Sequence, residues 1–219
     1  MSIEKGKVLL PIARAAISGA LKVTYRADES APWLAEHGAC FVTLTQSGEL
    51  RGCIGSLQAH QPLLADVKGN AISAALRDPR FAPLRVEELD ITTVEVSLLS
   101  ATQPMVVRDE ADALAQLRPG VDGIIFEYRS PDTLLAQPAD RGRGSLAANP
   151  APQGSAPPSH GRCYRSTFLP QVWESLTQPR QFLGMLKRKA GLPDDFWAEE
   201  VKLSRYSVTK WSEKEYQHG

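Results

Sequence analysis

The sequence has little of several features that would assign it to a function class directly. Its 219 residues carry no net charge at pH 7, because 25 Lys and Arg residues balance 25 Asp and Glu residues. Nucleic-acid-binding proteins usually have a basic excess or stripe, so nucleic acid is not an expected partner. No apolar run approaches the length of a membrane span. The apolar N-terminal stretch is interrupted by Pro11 and Arg14, which argues against a signal peptide.

Cysteine and histidine are also scarce. Three cysteines, an odd number, do not form a disulfide framework, so we expect a reduced, cytoplasmic protein. The four histidines show no metal-ligand spacing, and no two cysteines lie at CxxC distance. The sequence also lacks a phosphate-binding loop and a dinucleotide fingerprint. We therefore expect neither a metal nor a bound cofactor.

The apolar pattern predicts an α+β fold, in which helices flank a mixed, mainly antiparallel sheet, because helices and strands do not follow a regular βαβ rhythm. Pro11 is expected to start or kink the first helix. The predicted helices cover residues 8–23, 62–77, 109–117, 170–176 and 179–191. The predicted strands cover residues 39–45, 50–57, 91–99, 121–128, 164–169 and 201–211.

One stretch, residues 130–162, does not fit this pattern. It holds six of the 16 prolines and four of the 16 glycines, a composition that buries too little apolar surface to offset the entropy of ordering it. The strands predicted on either side, 121–128 and 164–169, are expected to pair as a hairpin. We therefore predict one domain over residues 1–219, with a disordered loop insertion at 130–162.

The segment ELRGCIGSL, residues 49–57, is the first candidate site. A strand that only holds a sheet together avoids glycine, yet Gly52 and Gly55 flank a thiol here. Arg51 and Cys53, two residues apart, are expected on one face of the strand, where a guanidinium favours the thiolate. The glycines would admit a ligand to the backbone amides. The alternative, that Cys53 is a small buried hydrophobic residue, stays open.

Polar residues in the following helix and loop extend this candidate site. Asp66 and Asn70 lie on the side of the helix away from its leucines, so they either face solvent or face the Arg51–Cys53 strand. The sequence DPRF, residues 78–81, ends the helix at Asp78 and places Arg80 and Phe81 just beyond it, where they pack or bind.

Three further residues leave alternatives open. Glu95, within a predicted strand, either faces solvent or pairs with an arginine such as Arg51 or Arg80, and a paired carboxylate in a cleft is a candidate general base. His60 is either the partner of a Cys–His dyad or an exposed loop residue. A turn centred on residues 47–48 would place Val42 opposite Cys53 and Cys40 diagonally on the same face, too distant for an easy disulfide.

Taken in order, these motifs resemble the AMMECR domain family, and more closely its prokaryotic branch, the AmmeMemoRadiSam system protein A. The LRGCIG core at residues 50–55 is the signature of that family. The resemblance covers the chain from the N-terminal helix to near the C-terminus, and it omits the insertion. The matching segments are GELRGCIGSL, PLLADVKGNAISAALRDPRFAPL, ITTVEVSLLS, GVDGIIFEY, TFLPQVWESL and FLGMLKRKAGLPDDFW.

The resemblance implies two related sub-regions, with the LRGCIG strand bordering a cleft between them. It also implies a Memo-like protein and a radical S-adenosylmethionine (SAM) enzyme as partners, while the oligomeric state stays open. It supplies no reaction. The positions that match the family pattern, and that we take as candidate substrate- or partner-binding residues besides Cys53, are Arg51, Gly52, Gly55, Asp66, Asn70, Asp78, Arg80, Phe81 and Glu95.

Two functions are compatible with these residues. In the first, the chain is an enzyme or enzyme component of the AmmeMemoRadiSam system, with Cys53 as nucleophile or radical relay and Arg51 binding an anionic group. In the second, the same cleft belongs to a non-catalytic adapter that holds the Memo-like protein or the radical SAM enzyme.

Overall fold

A computed structural model describes residues 2–130 and 162–216. It contains helices and three mainly antiparallel sheets, which confirms the α+β prediction. The chain forms two compact units: unit 1 comprises the residues up to Thr102 and those from Tyr206 onward, and unit 2 comprises Gln103–Arg205. Apart from its first and last residues, the predicted insertion lies outside the described residues.

The first helix of unit 1, α1, spans Ser2–Ala20 with Pro11 inside it. The prediction that Pro11 starts the helix is therefore wrong. A proline within a helix removes one backbone hydrogen bond, and burial of the apolar stripe around it favours the helix nonetheless. Leu9, Ile12 and Ala13 on this stripe are completely buried in the core of unit 1.

The second helix, α2, spans Leu63–Leu76 and directly follows Pro62. Pro fits the start of a helix because its missing N–H has no intrahelical acceptor there. The helix ends before the predicted stop, Asp78–Pro79. Its inward-facing residues pack with those of α1 in one core, to which α2 contributes Leu63, Val67, Ala71, Ala74 and Ala75.

Six strands belong to the described part of unit 1. They are β1 (His37–Gly38), β2 (Cys40–Gln46), β3 (Glu49–Gly55), β4 (Gln61–Pro62), β5 (Thr92–Leu99) and β10 (Val208–Ser212). Strands β1 and β4 form a short ribbon, and the others form an antiparallel sheet in the order β10–β5–β2–β3. One face of this sheet packs on the helical core through Cys40, Val42 and Leu44. We call the opposite face the outer face.

Unit 2 contains a second four-stranded sheet, in the order β6–β9–β7–β8. Trp173, in a short 3₁₀ helix, stacks on Phe182 of α4 in the core of this unit. The elements are β6 (Gln103–Met105), α3 (Glu110–Gln116), β7 (Gly123–Arg129), β8 (Cys163–Phe168), α4 (Pro179–Lys189) and β9 (Lys202–Tyr206). The chain ends its described part with α5 (Glu213–Tyr216) in unit 1.

Two predictions about the later strands have different outcomes. Strands β7 and β8 pair antiparallel up to Arg129 and Cys163, so the predicted hairpin that flanks the insertion is confirmed. The single strand predicted over 201–211 is wrong, because Ser207 separates β9 from β10 and the two strands join different sheets. In the part of the chain that the structure covers, no helix has the length and apolar character needed to cross a bilayer.

Candidate functional site

The hairpin formed by β2 and β3 determines which way Cys53 points. Its loop residues Ser47 and Gly48 both have positive φ, +52° and +89°, as the tight turns favoured in two-residue hairpins require. Beyond the turn, Thr45 pairs with Leu50 but Leu44 pairs with Gly52. Arg51 is thus the extra residue of a β-bulge.

The bulge shifts the register of the hairpin by one residue. Thr43, not Val42, lies opposite Cys53, and a one-residue slip moves side chains to the other face of a sheet. The prediction that Cys40 and Cys53 share a face is therefore wrong. Cys40 lies in the core, whereas Cys53 lies half-buried on the outer face with Thr43. Neither cysteine is in a disulfide.

The Cys53 sulfur accepts a hydrogen bond from the Thr43 hydroxyl, with an Oγ1–Sγ distance of 3.3 Å. The backbone N–H and C=O of Cys53 point away from β2, toward the free edge of the sheet. Thr43 and Cys53 are therefore a non-hydrogen-bonded pair, the type whose side chains lie closest together. This geometry holds the thiol against a hydroxyl donor.

The DPRF loop closes the free edge of β3 at Cys53. The Asp78 carboxylate accepts from the Cys53 N–H at 2.9 Å, and Arg80 donates to the Cys53 carbonyl at 3.1 Å. Arg80 also forms an ion pair with Asp78 at 2.7 Å, and its guanidinium lies 5.5 Å from the centre of the Phe81 ring. The Arg80 hydrogen bonds, together with that from the Cys53 backbone, hold the pKa of the nearly fully buried Asp78 far below its usual range. The Asp78 and Arg80 side chains thus bind the backbone groups of Cys53 that a neighbouring strand would otherwise bind.

A row of polar side chains crosses the outer face at the level of Cys53. Cys53 lies opposite Thr43, Thr43 opposite Glu95, and Glu95 opposite Ser212. We call these four residues the polar row. The Glu95 carboxylate pairs with Lys210 at 2.8 Å, so its partner is a lysine of β10 and not the predicted Arg51 or Arg80.

Arg51 does not serve Cys53 as predicted. Its guanidinium donates to both carboxylate oxygens of Glu88, at 3.1 and 3.3 Å, and Glu88 also accepts from Gln46. The hydrogen bond from Arg51 is the main reason that the pKa of Glu88 is lowered to about 2. The prediction relied on strict alternation along the strand, which the bulge at Arg51 interrupts.

The two signature glycines are explained by packing within unit 1. A Cβ on Gly52 would lie 2.2 Å from the Ala74 carbonyl oxygen of α2. A Cβ on Gly55 would lie 2.3 Å from the Phe41 ring and 2.7 Å from the Cys40 carbonyl oxygen. Close approach to the backbone was predicted, but the approaching groups belong to the chain itself and not to a ligand.

Asp66 and Asn70 are buried and face the sheet, so the alternative that they form a solvated helix face is wrong. Asp66 accepts hydrogen bonds from the Cys40 N–H at 2.9 Å and from Asn70 at 3.0 Å. It also accepts from Ser56 at 2.6 Å and Gln61 at 3.1 Å. Asn70 in turn donates to the Cys40 carbonyl at 3.1 Å. These residues fix α2 to the end of the hairpin.

The remaining thiols and His60 lie in contrasting surroundings. Burial, and to a lesser degree the nearby Asp66 carboxylate, raise the pKa of the Cys40 thiol well above its usual value. Cys163 is exposed at the start of β8. His60 is also exposed, in the loop between β3 and β4. Within residues 2–130 and 162–216, no group of three or more His, Cys, Asp or Glu residues could hold a metal ion.

Comparison with known proteins places this geometry in a family. The AMMECR1 family model matches residues 10–211. The chain belongs to the AMMECR1 family. Protein MJ0810 of Methanocaldococcus jannaschii is 33% identical, over 98% of this chain and 93% of its own length. A protein of Methanothermobacter thermautotrophicus is also 33% identical, over 95% and 94%. The crystal structure of PH0010 from Pyrococcus horikoshii is 28% identical, has a TM-score of 0.66 and is matched over 95% of this chain and 91% of its own.

In this AMMECR1-family chain, the structure brings some predicted residues to Cys53 and places others elsewhere. Asp78 and Arg80 bind the Cys53 backbone, and Glu95 stands two strands away in the polar row. Arg51 pairs with Glu88, while Asp66 and Asn70 bind the end of the hairpin away from its turn, at Cys40. The sequence reasoning missed Thr43 and Ser212. Alternation along β2, counted with the correct register, would have found Thr43.

Proposed function

We propose that this AMMECR1-family protein is a component of the AmmeMemoRadiSam system and that its functional site is the outer face around Cys53. The observation that supports the proposal most is the position of the thiol. Cys53 lies on the outer face, opposite a hydroxyl donor, while Cys40 of the neighbouring strand is buried in the core. A cysteine that served packing alone would lie with Cys40.

The support around Cys53 is that of a reactive group held in one place. Its N–H and C=O are both bound by the Asp78–Arg80 pair, so the strand cannot shift along its free edge. Functional groups work when neighbouring residues lock their geometry. In the proposed function the thiol is the working group, Thr43 orients the sulfur, and Glu95 with Lys210 contacts the bound molecule.

The test is genetic and uses conservative changes. Cys53→Ser and Cys53→Ala are introduced into the chromosomal gene of the native host, with Cys163→Ser as the matched control at an exposed cysteine. The proposal predicts that both Cys53 variants reproduce the phenotype of the gene deletion, whatever that phenotype is, and that Cys163→Ser does not. Full function of a folded Cys53→Ala protein would show that the thiol is dispensable.

A second candidate is the non-catalytic adapter for the Memo-like protein or the radical SAM enzyme. It is favoured by two apolar side chains near the turn of the hairpin: Leu50 and Ile91 are 44% and 63% exposed. Gln46 lies opposite both Glu49 and Thr92, so the two residues are at the same end of the sheet, and exposed apolar residues are typical of contact surfaces. The double variant Leu50→Ser, Ile91→Ser distinguishes the candidates. An adapter should lose co-purification with either partner in this double variant and retain it in Cys53→Ser. A thiol-dependent component should lose function in the genetic assay in Cys53→Ser and retain it in the double variant.

A further inference from the structure

A cavity of about 470 Å³ lies at one end of the core of unit 1. It is bordered by the start of α1, by a short 3₁₀ helix at Pro32–Ala35 and by strands β5 and β10. Its volume is within the range of roughly 300–1,000 Å³ that is usual for small-molecule sites. Leu98 and Trp211 line the cavity and also pack in the core of unit 1. The cavity is therefore on the core side of the sheet, whereas Cys53 is on the outer face.

The cavity combines apolar walls with two opposite charges. The Lys5 ammonium lies 4.9 Å from the centre of the Trp33 ring, in a cation–π contact. The Glu36 N–H donates to the Trp33 carbonyl at 3.3 Å, which closes one 3₁₀ turn and places Glu36 on the same side of the segment as Trp33. The apolar lining includes Trp33, Leu63, Leu98 and Trp211, and the charged lining includes Lys5 and Glu36.

The backbone that carries Glu36 is held on both sides. Besides the turn to Trp33, the Glu36 carbonyl accepts from the Leu63 N–H at 2.8 Å. A Cβ on Gly38 would lie 2.9 Å from two carbons of the Leu63 side chain, so β1 packs directly on the first residue of α2. A wall fixed in this way needs little rearrangement when a ligand binds, and pre-organisation of this kind favours affinity.

We infer that this cavity binds a free α-amino acid with a large apolar side chain. Lys5 and Glu36, both of them described residues, form no ion pair with each other. In the complex the Lys5 ammonium pairs with the ligand carboxylate, and the Glu36 carboxylate pairs with the ligand ammonium group. The ligand side chain packs on Leu63 and Leu98. A simple anion fits less well because Glu36 repels it, and a simple cation because Lys5 does.

Phenylalanine and two analogues that each lack one charge test the inference. Phenethylamine lacks the carboxylate, and hydrocinnamate lacks the ammonium group. Ligand-observed NMR titration of the full-length protein measures the three dissociation constants. We expect phenylalanine to bind with a Kd of about 1 mM or below, as its number of non-hydrogen atoms allows. Each analogue should bind about three- to tenfold more weakly, the factor that one net hydrogen bond provides.

Variants of the two charged residues locate the source of that difference. Lys5→Met should weaken phenylalanine about three- to tenfold and leave phenethylamine unchanged or tighter, because phenethylamine has no carboxylate to lose. Glu36→Gln should likewise weaken phenylalanine but not hydrocinnamate. Lys7→Met is the matched control, since Lys7 is an exposed lysine of α1 that pairs with Glu4 outside the cavity, and it should bind all three ligands as wild type does. Retained binding of one analogue shows that each variant is folded.

The outcomes separate this inference from the proposed function, of which it is independent. The inference is wrong if phenylalanine does not bind up to its solubility limit, or binds no more tightly than its analogues. It is also wrong if Lys5→Met weakens all three ligands equally, because the lysine would then support the shape of the cavity and not the ligand carboxylate. Cys53→Ala should bind phenylalanine as tightly as wild type, whatever its phenotype in the genetic test.

Discussion

Cys40 and Cys53 lie in adjacent strands of one hairpin, yet their surroundings are opposite in character. Cys40 is completely buried, and its backbone N–H and C=O are bound by Asp66 and Asn70. Cys53 is half-buried on the outer face, and its backbone is bound by Asp78 and Arg80. In both cases a carboxylate holds the cysteine N–H. Only the face of the sheet on which each side chain lies separates a packing thiol from a candidate reactive one.

The comparison shows that one β-bulge determines the face of the sheet on which Cys53 lies. Without the extra residue at Arg51, period-two alternation would carry Cys53 to the core side of the sheet. Arg51, two residues away, would then face the core side as well. Variants that change the core side of the sheet, the two carboxylates or the Arg51 ion pair therefore test whether the positions of the two cysteines are fixed independently.

The largest effect is expected from Gly52→Ala. The new Cβ would lie 2.2 Å from the Ala74 carbonyl oxygen, and backbone cannot yield as a flexible side chain can. We expect α2 to be pushed from the sheet, with a loss of 3 kcal/mol or more in the free energy of unfolding, about the upper end for overpacked cores. Chemical denaturation measures this loss in the free energy of unfolding.

Gly69→Ala is the matched control, because Gly69 lies within α2 and a Cβ there meets no atom within 4 Å. Replacing glycine by alanine inside a helix is expected to stabilise the protein by up to about 1 kcal/mol. Equal stabilities for the two variants would contradict the packing of α2 on β3.

Asp66→Ala is expected to have the next largest effect. It leaves the Cys40 N–H and the Ser56 and Gln61 donors without their acceptor, at a cost of about 3 kcal/mol in unfolding free energy. It should also open the Cys40 thiol to alkylation in the folded protein. Asp78→Ala, the corresponding change at Cys53, should instead speed alkylation of Cys53 and leave Cys40 protected. If both variants expose the same cysteine, the two sites are not independent.

A smaller effect is expected from Glu88→Gln, which breaks the ion pair with Arg51. The pKa of Glu88 is lowered from 4.5 to about 2 in the folded protein, so the carboxylate stabilises the fold above pH 4.5 and this stabilisation is lost as the pH falls toward 2. We expect the variant to be about 1–2 kcal/mol less stable at pH 7. Urea denaturation at several pH values should show the difference shrinking only below pH 4.5.

The same variant tests the role assigned to Arg51. Since the guanidinium pairs with Glu88 and not with the thiol, the alkylation rate of Cys53 at pH 7 should be unchanged in Glu88→Gln. A severalfold change in that rate would show that Arg51 acts on the Cys53 thiol, as alternation along the strand predicted.

Local patterns predicted most elements of the fold. Apolar periodicity located α2, and the turn at Ser47–Gly48 was placed correctly. Two failures have a common cause, because each depends on a tertiary partner. Pro11 is tolerated inside α1 by packing against the core, and the break at Ser207 arises where the chain passes between two sheets.

The residues of the candidate site were predicted more successfully than their arrangement. Asp78 and Arg80 were candidates because they match the family pattern, and the structure places both against the Cys53 backbone. The bulge could not be predicted, because nothing in ELRGCIG distinguishes a regular strand from one with an extra residue. Thr43 and Ser212 were missed for the same reason, because their importance depends on cross-strand register.

Alkylation of the three cysteines in the native protein tests the central claim most directly. Iodoacetamide is applied across pH 5–9, and Cys40, Cys53 and Cys163 are followed separately by mass spectrometry. The account predicts fast labelling of the exposed Cys163, measurable labelling of Cys53, and none of Cys40 until the protein is unfolded in urea. If Cys53 stays unlabelled together with Cys40 until unfolding, the thiol is a packing residue and the outer face around it is not the functional site.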